Sequence, residues 1–112
     1  MARKIIYTDD APEPIGPYSQ AVYINGMLFV SGQVPIDPFS GALIKDGIEA
    51  ETKQVMENLQ AILEEAEMDF SNVVKCSIFL ADMRDFPKVN EVYAKYFKSN
   101  PPARETVEVS VL

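Results

Sequence analysis

Apolar residues recur at intervals of three and four between positions 48 and 66, which is the pattern of one face of an α-helix. The apolar positions are Ile48, Val55, Met56, Leu59, Ile62, Leu63 and Ala66. Charged and amide side chains occupy the opposite face, as in a helix with one buried side. Asp46, with Glu49 three residues later, matches a capping box, so we expect Asp46 to begin this helix.

A second amphipathic helix is predicted to follow Asp85, whose carboxylate suits the N-cap position. Its inward residues would be Phe86, Val89, Tyr93 and Phe97. The segment Asn100-Pro101-Pro102 would end this helix, because proline supplies no backbone N–H and clashes with the preceding turn. The sequence therefore predicts two helices, each with one apolar side.

Alternating and β-branched segments predict strands on either side of these helices. The predicted strands are Ile5–Tyr7, Ala21–Ile24, Met27–Ser31, Val73–Leu80 and Arg104–Leu112. The dipeptide Asn25-Gly26 is a typical two-residue hairpin turn between the second and third strands. In the last strand Arg104 and Thr106 share one face, and Val107 lies on the other.

The order of these elements predicts a single α+β domain over residues 1–112, with one sheet and both helices on the same face of it. The other face of the sheet is then uncovered. By alternation we expect this uncovered face to carry Phe29, Ser31, Gln33, Arg104 and Thr106. An uncovered, partly apolar sheet face in a small domain indicates packing between subunits.

The balance of charges argues against several classes of function. Aspartate and glutamate number 17 against 10 lysines and arginines, which gives a formal net charge of −7, and the basic residues form no cluster. We therefore expect no nucleic-acid partner, since such binding requires neutralisation of phosphates. No apolar run approaches the ~20 residues of a membrane helix, so no membrane association is expected. The single cysteine, Cys76, fits a reducing cytoplasm, and its alternation with Val74 and Ile78 indicates a core position.

Three polar positions remain as candidates for chemistry, in a chain that contains no histidine. Arg104 follows a proline-rich segment and could bind a carboxylate through two N–H groups; the alternative is a surface arginine paired with a neighbouring carboxylate. Ser31 could bond to a ligand or to its own backbone, and Gly32 allows a close approach of another chain or ligand. Tyr18 could form a pocket wall or be an ordinary half-buried tyrosine. No metal site is expected.

Three segments that contain these residues resemble, in the same order, the reactive-intermediate deaminase family, also called RidA or YjgF. The segments are Ile15–Ala21, Phe29–Pro35 and Asn100–Val109, and Asn90 in the second helix also fits. The resemblance extends across nearly the whole chain. The three motifs together are much more specific than the short Ser-Gly-Gln piece alone.

The resemblance implies a chorismate-mutase-like α+β fold and a cytoplasmic homotrimer with sites in clefts between subunits. It implies a hydrolase without cofactors that converts enamines and imines, such as 2-aminoacrylate and 2-iminobutanoate, to 2-ketoacids and ammonia. In this interpretation Arg104 grips the substrate carboxylate and the backbone around Thr106 helps to orient the hydrolytic water. The substrate site is completed by Tyr18, Ser31, Gly32 and Asn90.

Two features depart from the family pattern. Family members usually continue into one more C-terminal strand with a glutamate that positions the water, whereas this sequence ends at Leu112. Thr106 occupies a place that is often cysteine. Three other functions stay open: a small-ligand-binding or regulatory module without turnover, an endoribonuclease or translation initiation inhibitor, and a chorismate-mutase-like isomerase, which rests on fold analogy alone.

Overall fold

The computed structural model describes residues 2–112, which form five strands and two α-helices. The strands are β1 (Lys4–Ile6), β2 (Ala21–Ile24), β3 (Met27–Val30), β4 (Lys75–Leu80) and β5 (Ala103–Glu108). The helices are α1 (Ile48–Glu65) and α2 (Phe86–Ala94), with short 3₁₀ turns at Phe70–Asn72 and Met83–Asp85. This is the α+β class that the sequence predicts. Neither helix of the described chain has the length and apolarity needed to cross a membrane.

The strands form two sheets rather than the single sheet expected from the sequence. Strands β1, β2 and β3 are antiparallel in that order, and the hairpin turn holds Asn25 and Gly26 at positive φ. Strands β4 and β5 are parallel, with α2 as the connection between them. No ladder of hydrogen bonds joins β3 to β4 within residues 2–112. Alternation identifies strands but does not encode which edges pair, so the sequence could not predict this division.

Both helices belong to one layer behind the sheets. Ile62 of α1 is fully buried against Ile6 of β1 and Ala21 of β2, so α1 covers the three-stranded sheet. The second helix, α2, buries Val89 and Tyr93 and lies over the two-stranded sheet. The two helices also pack against each other. The predicted arrangement of two helices on one side of the strands is therefore confirmed.

Two buried amides fasten the irregular segments to this framework. The Gln20 side chain accepts a hydrogen bond from the Thr8 backbone N–H at 2.7 Å and donates to the Thr8 carbonyl at 3.0 Å. Asn58, which is fully buried in α1, donates to the carbonyls of Val34 and Ile36 at 3.3 and 3.0 Å. These bonds satisfy backbone groups that no strand or helix would otherwise pair.

The predicted capping box of α1 is wrong. The N-cap residue is Gly47, with φ of 107°, and no side chain caps the helix. This glycine conformation inserts a bend between Asp46 and the first helical residue, Ile48. Asp46 therefore lies one position too early to reach the free N–H groups of the first turn.

The predicted ends of α2 also need correction. Asp85 does occupy the N-cap position, but its carboxylate makes no capping bond. Asp82 caps the preceding 3₁₀ turn instead, accepting the Arg84 backbone N–H at 2.9 Å. The helix ends at Ala94, before the Asn100-Pro101-Pro102 segment that was expected to stop it. The chain leaves the helix in a short turn, so the prolines lie in the connection to β5.

The two later strands are shorter than predicted. Strand β4 begins at Lys75, and Val74 before it is 80% exposed, so Val74 does not join the inward face. Strand β5 ends at Glu108, and Val111 beyond it is 85% exposed. Alternation thus continues in the sequence for several residues after the hydrogen-bonded ladder has ended.

The faces of both sheets that point away from the helices are uncovered; we call them together the open sheet face. Its exposed apolar residues are Ile5, Met27 and Phe29 on the first sheet and Phe79 and Val107 on the second. On the second sheet the open sheet face also includes the ion pair between Lys75 and Glu105. The sequence predicted an uncovered face with Phe29 on it, which the structure confirms. The prediction that Arg104 and Thr106 also lie there is wrong, as their surroundings show.

Candidate functional site

Arg104 lies on β5, on the face that points toward α2. The parallel register sets Arg104 beside Cys76 and Thr106 beside Ile78, so these four side chains share one face of the two-stranded sheet. That face is covered by the helix. Alternation correctly indicates that Arg104 and Thr106 are neighbours on one face. It does not indicate which face the helix covers, and this is why the sequence placed them on the open side.

Three residues of α2 surround the Arg104 guanidinium. Its Nη1 donates a hydrogen bond to Asn90 Oδ1 at 2.7 Å. Its Cζ lies 4.8 Å from the ring centroid of Tyr93 and 5.2 Å from that of Phe86. Phe86, Asn90 and Tyr93 stand at positions i, i+4 and i+7, so a single stripe of the helix presents all three to one arginine.

Arg104 has no carboxylate partner within the described chain. The ion pairs found there are Lys53–Glu57, Lys75–Glu105 and Arg84–Asp82. A guanidinium carries five N–H donors, and the contact with Asn90 uses one of them. In a chain with a formal net charge of −7, this cation is held by a neutral amide and two rings, so its charge remains available to an anionic ligand.

Two buried hydroxyl groups beside this arginine lack hydrogen-bond partners within residues 2–112. They are the hydroxyl of Tyr93 and Oγ1 of Thr106. Burial raises the pKa of Tyr93, and the nearby Cys76 thiol raises it further, so the phenol is neutral at physiological pH. Buried polar groups are normally paired, so the Thr106 hydroxyl, on the same strand face as Arg104 and unpaired within the described residues, is available to a ligand.

The other predicted residues form a second group at the end of β3. The Ser31 hydroxyl donates to the Ser19 carbonyl at 2.5 Å, and the Ser31 backbone N–H donates to Gln20. Tyr18 is 51% exposed next to this bond. Gly32 is exposed, and a Cβ added there would meet no atom within 4 Å. The serine hydroxyl thus pairs with the backbone of Ser19, just before β2, and the tyrosine ring beside it remains exposed.

The structure brings Arg104, Asn90 and Thr106 together and keeps Tyr18, Ser31 and Gly32 as a separate group. No hydrogen bond links the two groups in the part of the chain that the structure describes. Two open grooves, of about 500 and 350 Å³, contain none of these six residues. A single protomer therefore presents two partial sites. Within residues 2–112 no cluster of acidic or cysteine side chains could hold a metal ion.

Sequence reasoning missed the roles of Phe86 and Tyr93. Their spacing identified them as inward residues of the second helix, which is correct, because Tyr93 is only 7% exposed. Helical periodicity cannot show that the buried face of a helix meets a charged side chain from a strand that follows it. The signal that could have found them is Asn90, a polar residue between two aromatic ones on an otherwise apolar stripe.

Comparison with known proteins identifies the relatives of this chain. The family model described as Endoribonuclease L-PSP matches residues 8–112. The human protein named 2-iminobutanoate/2-iminopropanoate deaminase is 48% identical, over 100% of this chain and 82% of its own length. Among solved structures, RidA from an Antarctic Psychrobacter has a TM-score of 0.93 and 39% identity, covering 97% of this chain and 88% of that one. The chain belongs to the RidA family.

A second solved member of the RidA family is Escherichia coli TdcF with bound serine. It has a TM-score of 0.93 and 37% identity, covering 97% of this chain and 87% of that chain. Family membership confirms the predicted fold. It does not by itself give one activity, because some relatives are named as deaminases and the family model is described as an endoribonuclease.

Proposed function

We propose that this protein is a 2-iminobutanoate/2-iminopropanoate deaminase that hydrolyses reactive enamines and imines of small amino acids to 2-ketoacids and ammonia. The observation that carries the proposal is Arg104, a cation with four unused N–H donors and no carboxylate partner among the described residues. A small 2-imino acid has one permanent charge, its carboxylate. A guanidinium edge binds such a group through two parallel hydrogen bonds.

Binding the carboxylate fixes the reacting atoms, since the imine carbon is one bond away from it. A water oxygen bonds to that carbon, the π electrons of the C=N bond move to nitrogen, and nitrogen takes up the proton that the water loses. In the resulting carbinolamine the hydroxyl proton passes to nitrogen, the carbonyl group forms and the C–N bond breaks, which releases ammonia. A substrate that arrives as an enamine first becomes its imine tautomer. The protein must hold the substrate carboxylate, orient the imine carbon and direct the water toward it. These are contributions of proximity and electrostatics.

Thr106 lies two residues beyond Arg104 on the same face of β5. Its hydroxyl has no hydrogen-bond partner in the described protomer. In our proposal the Thr106 segment orients the hydrolytic water relative to a substrate held by Arg104. The chain contains no histidine, so in our proposal the proton of the water passes to the substrate nitrogen, while hydroxyls and backbone carbonyls orient the water through hydrogen bonds.

Two relatives support this choice of substrate. The human relative is named for 2-iminobutanoate and 2-iminopropanoate, and the solved TdcF structure holds serine. Both kinds of molecule carry a carboxylate next to a carbon that bears nitrogen. An arginine without a carboxylate partner within the described residues is suited to bind the carboxylate that these molecules share.

We further propose that the protein acts as a cytoplasmic homotrimer in which neighbouring subunits complete the site. The motive is the separation of the two groups of candidate residues within one protomer. A neighbouring copy that packs on the open sheet face and extends past the edge of β5 that is unpaired in the described chain would bring its Tyr18, Ser31 and Gly32 to the first copy's Arg104, which is exposed although it lies on the helix side. In such a cleft Gly32 would allow the close approach of a ligand or chain, because its surface side is open.

The proposal is tested by adding the protein to freshly generated 2-iminobutanoate and measuring 2-oxobutanoate and ammonia. We expect the parent protein to accelerate hydrolysis and Arg104→Ala to abolish nearly all of that acceleration. Arg84→Ala is the matched control, because Arg84 is exposed, pairs with Asp82 and makes no hydrogen bond to Arg104, Asn90 or Thr106 in the described protomer. Circular dichroism verifies that each variant is folded.

The same experiment separates the main alternative, a module that binds small acids without turnover. Binding of 2-oxobutanoate by a parent that gives no acceleration would reject the deaminase and favour that module. Equal activity of the parent and a folded Arg104→Ala would show that the carboxylate is held elsewhere.

A further inference from the structure

The contacts of Arg104 explain how an exposed arginine can keep a fixed orientation. A free arginine side chain has about 2 kcal/mol of rotamer entropy, which is lost when the side chain is ordered by a ligand. Here the guanidinium already lies within 4.8 and 5.2 Å of two ring centroids and is bonded to Asn90 at one end. Such cation–π contacts are attractive, and they leave the outer N–H groups free.

We propose that Tyr93 and Phe86 are positioning residues that, together with Asn90, hold Arg104 ready for a carboxylate. This inference rests on the proposed function and names part of its machinery. The Asn90 amide would fix one end of the guanidinium, the two rings would restrict its tilt, and the remaining edge would face the ligand. Asn90 then acts through the arginine, whereas the resemblance implied that Asn90 belongs to the substrate site itself.

The ring of Tyr93 is the part that acts in this arrangement. Tyr93 is 7% exposed, and its hydroxyl has no hydrogen-bond partner within residues 2–112. An unpaired buried hydroxyl destabilises a fold, so the hydroxyl does not explain why a tyrosine stands here. Phenylalanine would keep the ring under the guanidinium and remove the unpaired group. Leucine would fill part of the same space without a π face.

The test compares Tyr93→Leu, Tyr93→Phe and the control Tyr96→Leu in the intact protein. Tyr96 lies just beyond the same helix and packs on Phe70, with ring centroids 5.3 Å apart, so its loss removes a comparable aromatic contact away from Arg104. We expect Tyr93→Leu to raise the Kd for 2-oxobutanoate and the KM for 2-iminobutanoate by roughly 3- to 30-fold, the scale of one cation–π contact. Tyr93→Phe and Tyr96→Leu should stay within about twofold of the parent.

The division between KM and kcat separates positioning from damage to the fold. Loss of positioning weakens the grip on the carboxylate in the ground state and in the transition state alike, so KM rises more than kcat falls. A partly unfolded preparation would lose kcat at unchanged KM. If Tyr93→Leu does not fold, Phe86→Leu tests the same inference, because Phe86 is only partly buried.

The inference would be overturned if folded Tyr93→Leu had the same KM and Kd values as the control Tyr96→Leu. If Phe86→Leu is used in place of Tyr93→Leu, the same comparison applies. Either result would leave the proposed deaminase activity intact. A Tyr93→Phe variant as impaired as Tyr93→Leu would also overturn it, since the hydroxyl would then be the acting group. A parent that binds 2-oxobutanoate without hydrolysing 2-iminobutanoate would reject the proposed function alone, and the Kd values would still decide the role of the rings.

Discussion

A single substitution can test whether the site needs only the positive charge of Arg104 or also the planar shape of its guanidinium. Lysine keeps the positive charge but replaces a planar set of donors by a compact ammonium, which cannot form two parallel bonds to a carboxylate. It also replaces the planar group that lies within 4.8 and 5.2 Å of the ring centroids of Tyr93 and Phe86. We expect Arg104→Lys to lose about 1.5–3 kcal/mol of transition-state stabilisation, the scale of a hydrogen bond to a charged group.

Steady-state kinetics with 2-iminobutanoate measure this loss as a fall in kcat/KM of roughly 10- to 150-fold. The melting temperature of Arg104→Lys should match that of the parent, since Arg104 makes its contacts at the surface. Activity of Arg104→Lys close to that of the parent would mean that charge alone is recognised, and the bidentate contact would be rejected.

Gly32 offers a second test at the level of one residue. Its backbone is not left-handed, and a Cβ would meet no atom within 4 Å, so a single protomer has no need of glycine here. Gly32→Ala should therefore leave the protomer intact or stabilise it by about 0.4–1 kcal/mol through the unfolded chain. We expect imine hydrolysis to fall nevertheless, because the methyl group would enter the cleft between subunits.

The two measurements on Gly32→Ala are thermal unfolding and the rate of 2-iminobutanoate hydrolysis. Full activity with unchanged stability would show that neither a ligand nor another chain approaches this glycine closely. The site would then have to be drawn without the end of β3.

At the level of secondary-structure elements, the sequence predicted features that follow a periodic pattern or a known turn motif. It missed features that depend on a single backbone angle or on strand pairing. Helical spacing found both helices, and the Asn25-Gly26 turn found the hairpin. The capping box failed because the φ of Gly47 is a single backbone choice that no periodicity records. Arg104 was found from its place after two prolines and from the family motif, while the orientation of β5 toward α2 required the register of β4 and β5.

Buried amides are the other feature that hydrophobic patterns do not reveal. Asn58 stands on the apolar side of α1, where its side chain is fully buried and bonded to Val34 and Ile36. It holds the loop between β3 and α1 against the helix. The family motif contains Gln20, but the motif alone does not show that this amide serves the fold of the N-terminal segment.

Asn58→Ala should destabilise the protein by about 2–4 kcal/mol. The substitution removes a fully buried amide and its hydrogen bonds to Gln54 and to the carbonyls of Val34 and Ile36. It leaves a cavity in place of the amide, and losing the hydrogen bonds of a buried polar group costs about 1–3 kcal/mol. Gln60→Ala, at an exposed position of the same helix, is the control and should change stability by less than about 0.5 kcal/mol. Urea unfolding monitored by circular dichroism compares the two, and equal midpoints would show that Asn58 does not hold the loop.

At the level of the whole molecule, the charge of the chain bears on the family description as an endoribonuclease. The formal net charge is −7, and Lys53, Lys75 and Arg84 are each paired with a carboxylate. Acidic residues outnumber basic ones and the basic residues form no cluster in the sequence, so we expect RNA binding to be weak and to disappear as salt increases. Fluorescence anisotropy with labelled RNA at two salt concentrations checks this. Tight binding at ~200 mM salt would contradict it and revive the nuclease alternative.

The open sheet face is the surface on which we propose that copies of the chain meet. Phe29 and Phe79 are 57% and 58% exposed, on sheets whose opposite faces are buried under the helices. Exposed aromatic residues on two adjoining sheet faces form the kind of apolar surface that a second copy of a chain covers. If three copies meet here, light scattering coupled to size exclusion should give about three times the chain mass of 12.5 kDa.

Phe29→Lys should break this assembly without unfolding the protomer, because a lysine at an exposed position of β3 costs little until another chain covers it. Phe39→Lys is the control: Phe39 is even more exposed, at 82%, but lies in the loop between β3 and α1, away from the open sheet face. We expect Phe39→Lys to keep the parent mass and Phe29→Lys to fall to the monomer mass. Imine hydrolysis should fall with it, because Arg104 would lose the Tyr18 and Ser31 of the neighbouring subunit. A parent that is monomeric at micromolar concentration, or a monomeric Phe29→Lys with full activity, would show that one protomer holds a complete site.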